Sequence, residues 1–395
     1  MLITAAQLLT AADVTDPVPG NGCVELTDGL IGRVATEPQR HADVTLPDGY
    51  LVPGFVDLQV NGYFGAEFQT ADAAGWADVA GKITSTGTTA FLPTLITAPV
   101  DSLITALSTA AGFVSDLSFG GARVLGVHLE GPFISPARPG AHNPNWITDP
   151  TPGAVAALIE AGGGLLRLLT LAPERRGALA AIDQLTAAGV LVSVGHSDAT
   201  AEQVAAAASR GARMVTHLFN AQRPLGHREP GVVGQALVDE RLTSGLIADL
   251  HHVAGPVCGL AFRAAPGRIA LVTDAAAPAG MPPGEYLLGG EPVTLPPSPG
   301  APPIRSDGTL AGSALRMDVA VANAVRSGVS LAAAVAAATR IPADLIGRPD
   351  LGRIAPGATA DLVWLSPELR TRATWQGGRL VYTDGADATR ALLRV

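Results

Sequence analysis

The sequence predicts an α/β fold: a (β/α)8 barrel of the TIM type carrying a small β-sandwich built from both chain termini. Three observations lead there. Eight apolar runs of strand length alternate with alanine-rich amphipathic stretches, coordinating side chains sit at the carboxyl ends of most of those runs, and short alternating segments broken by Gly and Pro are confined to the two ends. A chain of 395 residues with 47% hydrophobic and 15% charged residues buries a core of that size, with room for one large domain and a smaller one.

The elements follow in order. Up to residue 52 the chain has short segments, Gly22 to Leu26, Leu30 to Val34 and Asp43 to Leu46, that read as strands. Ala360 to Leu365, Ala373 to Trp375 and Gly378 to Tyr382 repeat that texture at the other end. Neither group has enough strands to stand alone, so the expected small domain joins 1–52 to 347–395, around a barrel over 53–346. The eight barrel runs end near Val60, Leu95, Leu129, Leu171, Gly195, Leu218, Asp249 and Asp274, with helices expected between them, as from Glu174 to Ala188 and from Asp198 to Arg210. A doubly wound open sheet is the alternative, but polar groups after six of the runs are hard to gather at one switch point. The proline-broken stretch Pro132 to Pro150 predicts an ordered loop over the barrel mouth, and Ala277 to Ser306 a loop or small hairpin. Two helices are expected after it, Ser313 to Ser327 and Ser330 to Ile346.

Bulk properties exclude several classes. A net charge of −9 argues against binding a phosphate backbone, which needs a basic face, although a few local cations suffice for a small anion. Cys23 and Cys258 stand alone, giving neither a disulfide framework nor a thiolate metal site, and a reducing cytoplasm fits. The first ten residues lack a basic leader region, and no apolar stretch is long enough to span a bilayer.

Seven of the eight histidines fall between His128 and His252. A single strand-end histidine reads equally well as a packing residue. Glu130, His196 and His217 at equivalent ends of a parallel barrel, however, converge on one pocket and can hold a divalent metal with an open position for water. Asp274, opposite the histidines, is the expected proton carrier, against a bland reading as a turn aspartate. At the end of the first run stand Gln59 and Asn61, poor metal ligands, and the only lysine is Lys82 in an expected helix, so no bridging lysine is available at the fourth run. A single-metal site follows, with Gln59 and Asn61 as hydrogen-bonding pocket residues.

These residues, with Pro53 to Asp57, Gln59 to Gly62, His128 to Phe133, Gly140 to Pro144, Gly195 to Thr200, Thr216 to Ala221, Arg228 to Gly231, Leu271 to Ala275 and Gly308 to Ser313, closely resemble the N-acetylglucosamine-6-phosphate deacetylase family of the amidohydrolase superfamily. The order and spacing of the segments span most of the chain. The resemblance implies metal-dependent hydrolysis of N-acetyl-D-glucosamine 6-phosphate to D-glucosamine 6-phosphate and acetate, in amino-sugar catabolism or cell-wall recycling, by a homodimer. It implies one divalent ion per subunit on Glu130, His196 and His217, zinc first, with iron, cobalt, manganese or cadmium as alternatives. It implies Asp274 as the acid/base and His142, beside Ala141, polarising the acetamide carbonyl. Asn220 and Ala221 would contact the phosphate region, Arg228 of a neighbouring subunit and His252 would bind the phosphate, and Leu310, Ala311 and Gly312 would line the sugar pocket. Where the family often has Asp-Gly-Leu-His, this chain has Asp249, Leu250, His251 and His252, so His251 competes with His252 for the phosphate, alignment favouring His252. Two other readings stand beside this one: an N-acetylgalactosamine 6-phosphate deacetylase or other N-acyl amidohydrolase, and, against the intact set of metal and acid/base residues, a non-catalytic binding homologue.

Overall fold

The protein is described from a computed structural model over residues 1–11, 20–116 and 120–385; the end of the expected small domain, 386–395, lies outside the described residues. Eight parallel strands occur where the apolar runs predict them: β1 (Phe55–Val60), β2 (Thr88–Ile96), β3 (Val127–Glu130), β4 (Leu166–Leu171), β5 (Leu191–Val194), β6 (Ala212–Val215), β7 (Thr243–Leu246) and β8 (Ile269–Leu271). Neighbours in sequence pair in the sheet from β1 to β8. The ring nearly closes past the end of β8, where the Asp274 amide donates to the Gln59 carbonyl at 2.9 Å and the Asn61 amide to the Ala275 carbonyl at 2.8 Å.

Period-two alternation sorts the strand residues into two cores. Phe91, Leu95, Leu129, Leu169, Leu171, Val192 and Val194 point outward into a cluster with the surrounding helices. Val56, Leu58, Ala90, Leu92, Leu168 and Met214 belong to the other cluster, which also takes in the helices after the barrel. The same alternation turns His128, Thr170 and Ser193 inward, where they join Thr216 in a hydrogen-bonded layer: His128 Nε2 lies 2.8 Å from Thr170 Oγ1, which lies 2.7 Å from Thr216 Oγ1, itself 2.6 Å from Ser193 Oγ. Glu130, two residues beyond His128, stands on the same inward face one layer higher.

Helices fill the gaps between strands: α1 (Ala73–Lys82), α2 (Val100–Asp116), α3 (Pro152–Gly162), α4 (Ala178–Ala187), α5 (Ala201–Ser209), α6 (Gly231–Val238) and α7 (Gly255–Ala264). Their starts follow local chemistry. Thr151 caps α3 with Pro152 in its first turn, and Thr200 opens α5 in a reciprocal capping box with Gln203. Pro132 to Pro150 is the expected loop, with a single 3-10 turn at Pro144–Trp146, and the later excursion contains a hairpin of Gly284–Leu288 and Glu291–Leu295.

The C-terminal part corrects two expectations. The first helix begins only at α8 (Met317–Arg326), because Ser313 is used in closing the barrel: its amide donates to the Asp274 carbonyl at 2.8 Å and its hydroxyl to the Thr273 carbonyl at 2.6 Å. The expected helix from Ser330 to Ile346 is two, Leu331–Ala338 and Arg340–Leu345, broken at Thr339 because Pro342 lacks the amide hydrogen that would bond back to residue 338.

Strands from both chain ends form one eight-stranded sheet around a core of its own. Tyr50–Pro53, the last strand before the barrel, pairs antiparallel with Leu362–Leu365 on one side and parallel with Leu2–Leu8 on the other, so the two termini are stitched together beside the barrel entry. Leu2–Leu8 was not foreseen as a strand. Its apolar and small residues carry weak alternation, and its strand geometry comes from pairing with Gly20–Thr27.

Candidate metal centre and active-site cavity

Four reactive side chains leave consecutive or facing strand ends. Glu130 closes β3, His196 and His217 follow β5 and β6, and Asp274 follows β8. The last three stand on left-handed backbone, with φ of 47°, 27° and 51°, which turns each side chain off the strand direction and over the barrel mouth. Glycines make room for the turn: a Cβ on Gly195 would meet Thr170 and Thr216 at 2.7 Å, and one on Gly140 would stand 3.0 Å from the His196 ring.

Glu130 Oε1 lies 3.1 Å from His196 Nε2 and 2.9 Å from His217 Nε2, and the two nitrogens are 3.1 Å apart. Those three donors form a triangle with sides close to the ligand spacing around a tetrahedral ion with bonds of about 2.0–2.1 Å. His196 Nδ1 lies 3.1 Å from the Arg138 carbonyl, so its proton sits there and the Nε2 lone pair is free for a metal. Electrostatics agree. Burial opposes ionisation of Glu130, but the three histidine rings around it outweigh that and hold its carboxyl well below the usual value. Burial and the neighbouring His142 and His217 push His196 down to about 4, leaving a neutral ring. At His217 burial is overcome by the Glu130 and Asp274 carboxylates, which raise its proton affinity, so this spot attracts positive charge. The residues therefore fit a divalent ion. Glu130, His142 and His196 also have donor atoms within 4.8 Å of one another, but His142 Nε2 is 3.7 Å from Glu130 Oε2, outside the compact triangle.

Gln59 and Asn61 hold the carboxylates. Gln59 Nε2 donates to Glu130 Oε1 and to Asp274 Oδ1, each at 3.0 Å, and Asn61 Nδ2 donates to Asp274 Oδ1 at 2.7 Å. Asp274 is pushed up to about 6 by burial and by the charge of Glu130. Its Oδ1 is occupied by two amides, which leaves Oδ2 for proton transfer.

Above the triangle lies a cavity of about 220 Å³. Asn61, Glu130, Ala141, His142, His196, His217, Asn220, Ala221, His252, Asp274, Leu310 and Gly312 all line it. Gln59 lies beneath it and Ala311 packs beside it with Leu288, both fully buried. His252 Nδ1 meets Asp249 Oδ2 at 2.6 Å, whereas His251 is exposed outside the cavity. Arg228 is exposed and forms no ion pair with Glu229 or Glu240, and it does not reach this cavity within the subunit. Sequence reasoning missed Ile96, Ile247, Leu288 and Thr309, which also line the wall. Ile96 and Ile247 lie at strand ends, a position that could have flagged them; Leu288 arrives from the hairpin, for which the sequence carries no signal of contact.

Comparison with known proteins agrees with this architecture. The amidohydrolase family model matches residues 50–258 and 295–381. An N-acetylglucosamine-6-phosphate deacetylase of Danio rerio is 39% identical over 84% of each chain, and an N-acetylgalactosamine-6-phosphate deacetylase of Escherichia coli O157:H7 is 38% identical over 90% of this chain and 94% of its own. A variant N-acetyl-D-glucosamine-6-phosphate deacetylase of Mycobacterium smegmatis, solved with N-acetyl-D-glucosamine 6-phosphate, superposes with a TM-score of 0.91 at 36% identity, over 97% of this chain and 99% of its own. A barrel with a Glu-His-His cluster at its mouth and relatives of this closeness lead to one conclusion: the chain belongs to the amidohydrolase family, in the group that contains the N-acetylglucosamine-6-phosphate deacetylases.

Proposed function

We propose that this protein hydrolyses the acetamide of N-acetyl-D-glucosamine 6-phosphate to D-glucosamine 6-phosphate and acetate. The observation that carries the proposal is the cavity that joins a Glu130, His196 and His217 triangle to an amide-held Asp274, in a chain 39% identical to a deacetylase of that name. Glu130, His196 and His217 would hold a divalent ion, which when bound would supply Lewis acidity toward the carbonyl oxygen and toward water. Zinc suits the two imidazoles and one carboxylate; iron, cobalt, manganese and cadmium are the other outcomes of metal analysis, and the reading is one ion per subunit.

Asp274 accepts the proton of the attacking water at Oδ2 and passes it to the leaving nitrogen, one group serving both directions. The Gln59 and Asn61 amides keep Oδ1 occupied through both steps. His142 Nε2 stabilises the negative charge that develops on the carbonyl oxygen. His252, anchored by Asp249, and Arg228 of a second subunit bind the phosphate, Arg228 through its planar fork, with Asn220 and Ala221 beside them. This makes the active form a homodimer. Leu310 and Gly312 support the sugar ring, Ala311 backing them from the core.

We assign catalysis to residues 53–346 and a supporting role to 1–52 with 347–395. Two free, buried cysteines suit a cytoplasmic enzyme; among the described residues no helix is long and apolar enough to cross a membrane. The E. coli relative supports a second substrate reading, the galacto epimer. Acetate release from both sugar phosphates and their unphosphorylated forms, run with metal analysis, tests all of this. The gluco phosphate is expected to be preferred with one metal per subunit; no acetate from either sugar, or two tightly held metals, overturns the respective assignment.

A further inference from the structure

Thr97 is the first residue beyond β2, and it is fully buried. Both of its polar groups converge on a single atom of the His142 ring: its backbone amide lies 3.4 Å from Nδ1 and its hydroxyl 2.7 Å from the same nitrogen. A peptide nitrogen can only donate, and a buried one needs an acceptor. Nδ1 therefore presents its lone pair to Thr97. A neutral imidazole with a bare Nδ1 carries its proton on Nε2, and Nε2 is the atom that faces the cavity, 3.7 Å from Glu130 Oε2. The hydroxyl can also donate to the Glu130 carbonyl at 3.2 Å, so two acceptors compete for its one proton. The shorter contact, to Nδ1, is the stronger, and the Thr97 amide, which can only donate, points to the same lone pair.

The loop carrying His142 is tied down independently. Its amide donates to the Pro139 carbonyl at 3.0 Å, and Arg305 donates to the Ala141 carbonyl at 2.8 Å. The loop thus brings the ring to the cavity, and Thr97 meets it at Nδ1.

We propose that Thr97 is a positioning residue that locks His142 in the Nε2–H tautomer, so that the ring donates to the carbonyl oxygen of the bound amide and does not serve as a metal ligand. The opposite tautomer would aim a lone pair at the carbonyl oxygen and at the Glu130 carboxylate, repelling both. This assignment rests on the deacetylase reading for its consequence in catalysis, but the location of the proton stands apart from it.

The test is nitrogen-15 NMR of zinc-loaded protein labelled at histidine, with the His142 ring identified by its loss in His142→Asn. Wild-type His142 is expected to show a protonated Nε2 and a bare Nδ1; a proton on Nδ1 overturns the proposal whatever the enzyme acts on. Thr97→Val keeps the branched shape and the amide but removes the hydroxyl. It is expected to mix the two tautomers and to lower kcat about ten- to a hundredfold, with KM changed less than about twofold. Thr97→Ser is expected to restore the tautomer and kcat to within about threefold. A Thr97→Val protein with wild-type tautomer and kcat also overturns it. Absence of deacetylase activity in the wild type sinks the functional reading alone, because the NMR result still decides where the proton lies.

Discussion

Replacing Asp274 by Asn separates proton transfer from everything else the site does. The amide oxygen of Asn can still accept from Gln59 Nε2 and Asn61 Nδ2, now at 3.0 and 2.7 Å, so the side chain keeps its place. The Glu130, His196 and His217 triangle does not include it, so metal content is expected to stay at the wild-type level. What disappears is the basic oxygen. One positioned base contributes about 10²–10⁴ to a rate, and Asp274 is asked to act in both the attack and the departure, which puts the loss at the upper end, about 10⁴ in kcat or about 5 kcal/mol. The wild-type carboxyl is pushed up to about 6 by burial and by Glu130, and a bound cation opposes that rise. An acid limb at or below about pH 6 is therefore expected in the wild type, activity falling as the base gains its proton, and it should be absent from the residual rate of the variant. The assay is acetate release from pH 5 to 9 alongside metal analysis of the same samples. Turnover within tenfold of wild type, or loss of the metal with the charge, refutes the reasoning.

Three further outcomes follow from the geometry. His217→Gln removes one corner of the donor triangle and is expected to weaken metal retention by more than about a hundredfold, read as metal content after dialysis against a graded chelator. Arg228→Ala is expected to raise KM for the phosphorylated sugar about ten- to a hundredfold with little change in kcat; mixing it with Asp274→Asn should recover activity, since a hybrid dimer restores one complete site, and no recovery rules out the shared site. Asp57 is fully buried and pushed up to about 7 mainly by that burial, although Thr273 Oγ1 at 2.6 Å and two backbone amides favour its ionised form. Its folded value lies above its unfolded one, so its contribution is complete below about pH 4 and is lost as pH rises through about 7, by up to about 4 kcal/mol. Asp57→Asn should flatten that part of the profile in denaturant melts from pH 4 to 8; an unchanged slope refutes it.

Most of the barrel was legible because its strands are long enough for apolar runs to stand out, and because coordinating residues at their ends mark the mouth. The convergence of Glu130, His196, His217 and Asp274 was readable for that reason, and Gln59 and Asn61 were readable as hydrogen-bonding pocket residues. Legibility failed where contact depends on distant chain. Leu2–Leu8 becomes a strand through pairing with Gly20–Thr27, and Leu288 reaches the cavity only because the hairpin folds back over it. Thr97 escaped notice because a threonine after a strand is unremarkable until the His142 loop settles on it. Thr339 interrupts an alanine-rich segment whose local preference is unbroken helix up to Pro342, so the break was visible only as a proline and not as a position.

The left-handed backbone at His196, His217 and Asp274 sets folding against chemistry. Each of these residues holds a conformation that costs a side chain with a Cβ about 1–2 kcal/mol and costs glycine almost nothing. Glycine at the three positions would relieve the backbone, but it would empty buried space and leave the Asn61 amide without its Asp274 acceptor. A redesign that scores backbone conformation alone would place glycine at these positions and remove three side chains that line the cavity, so stability-guided redesign should leave them untouched.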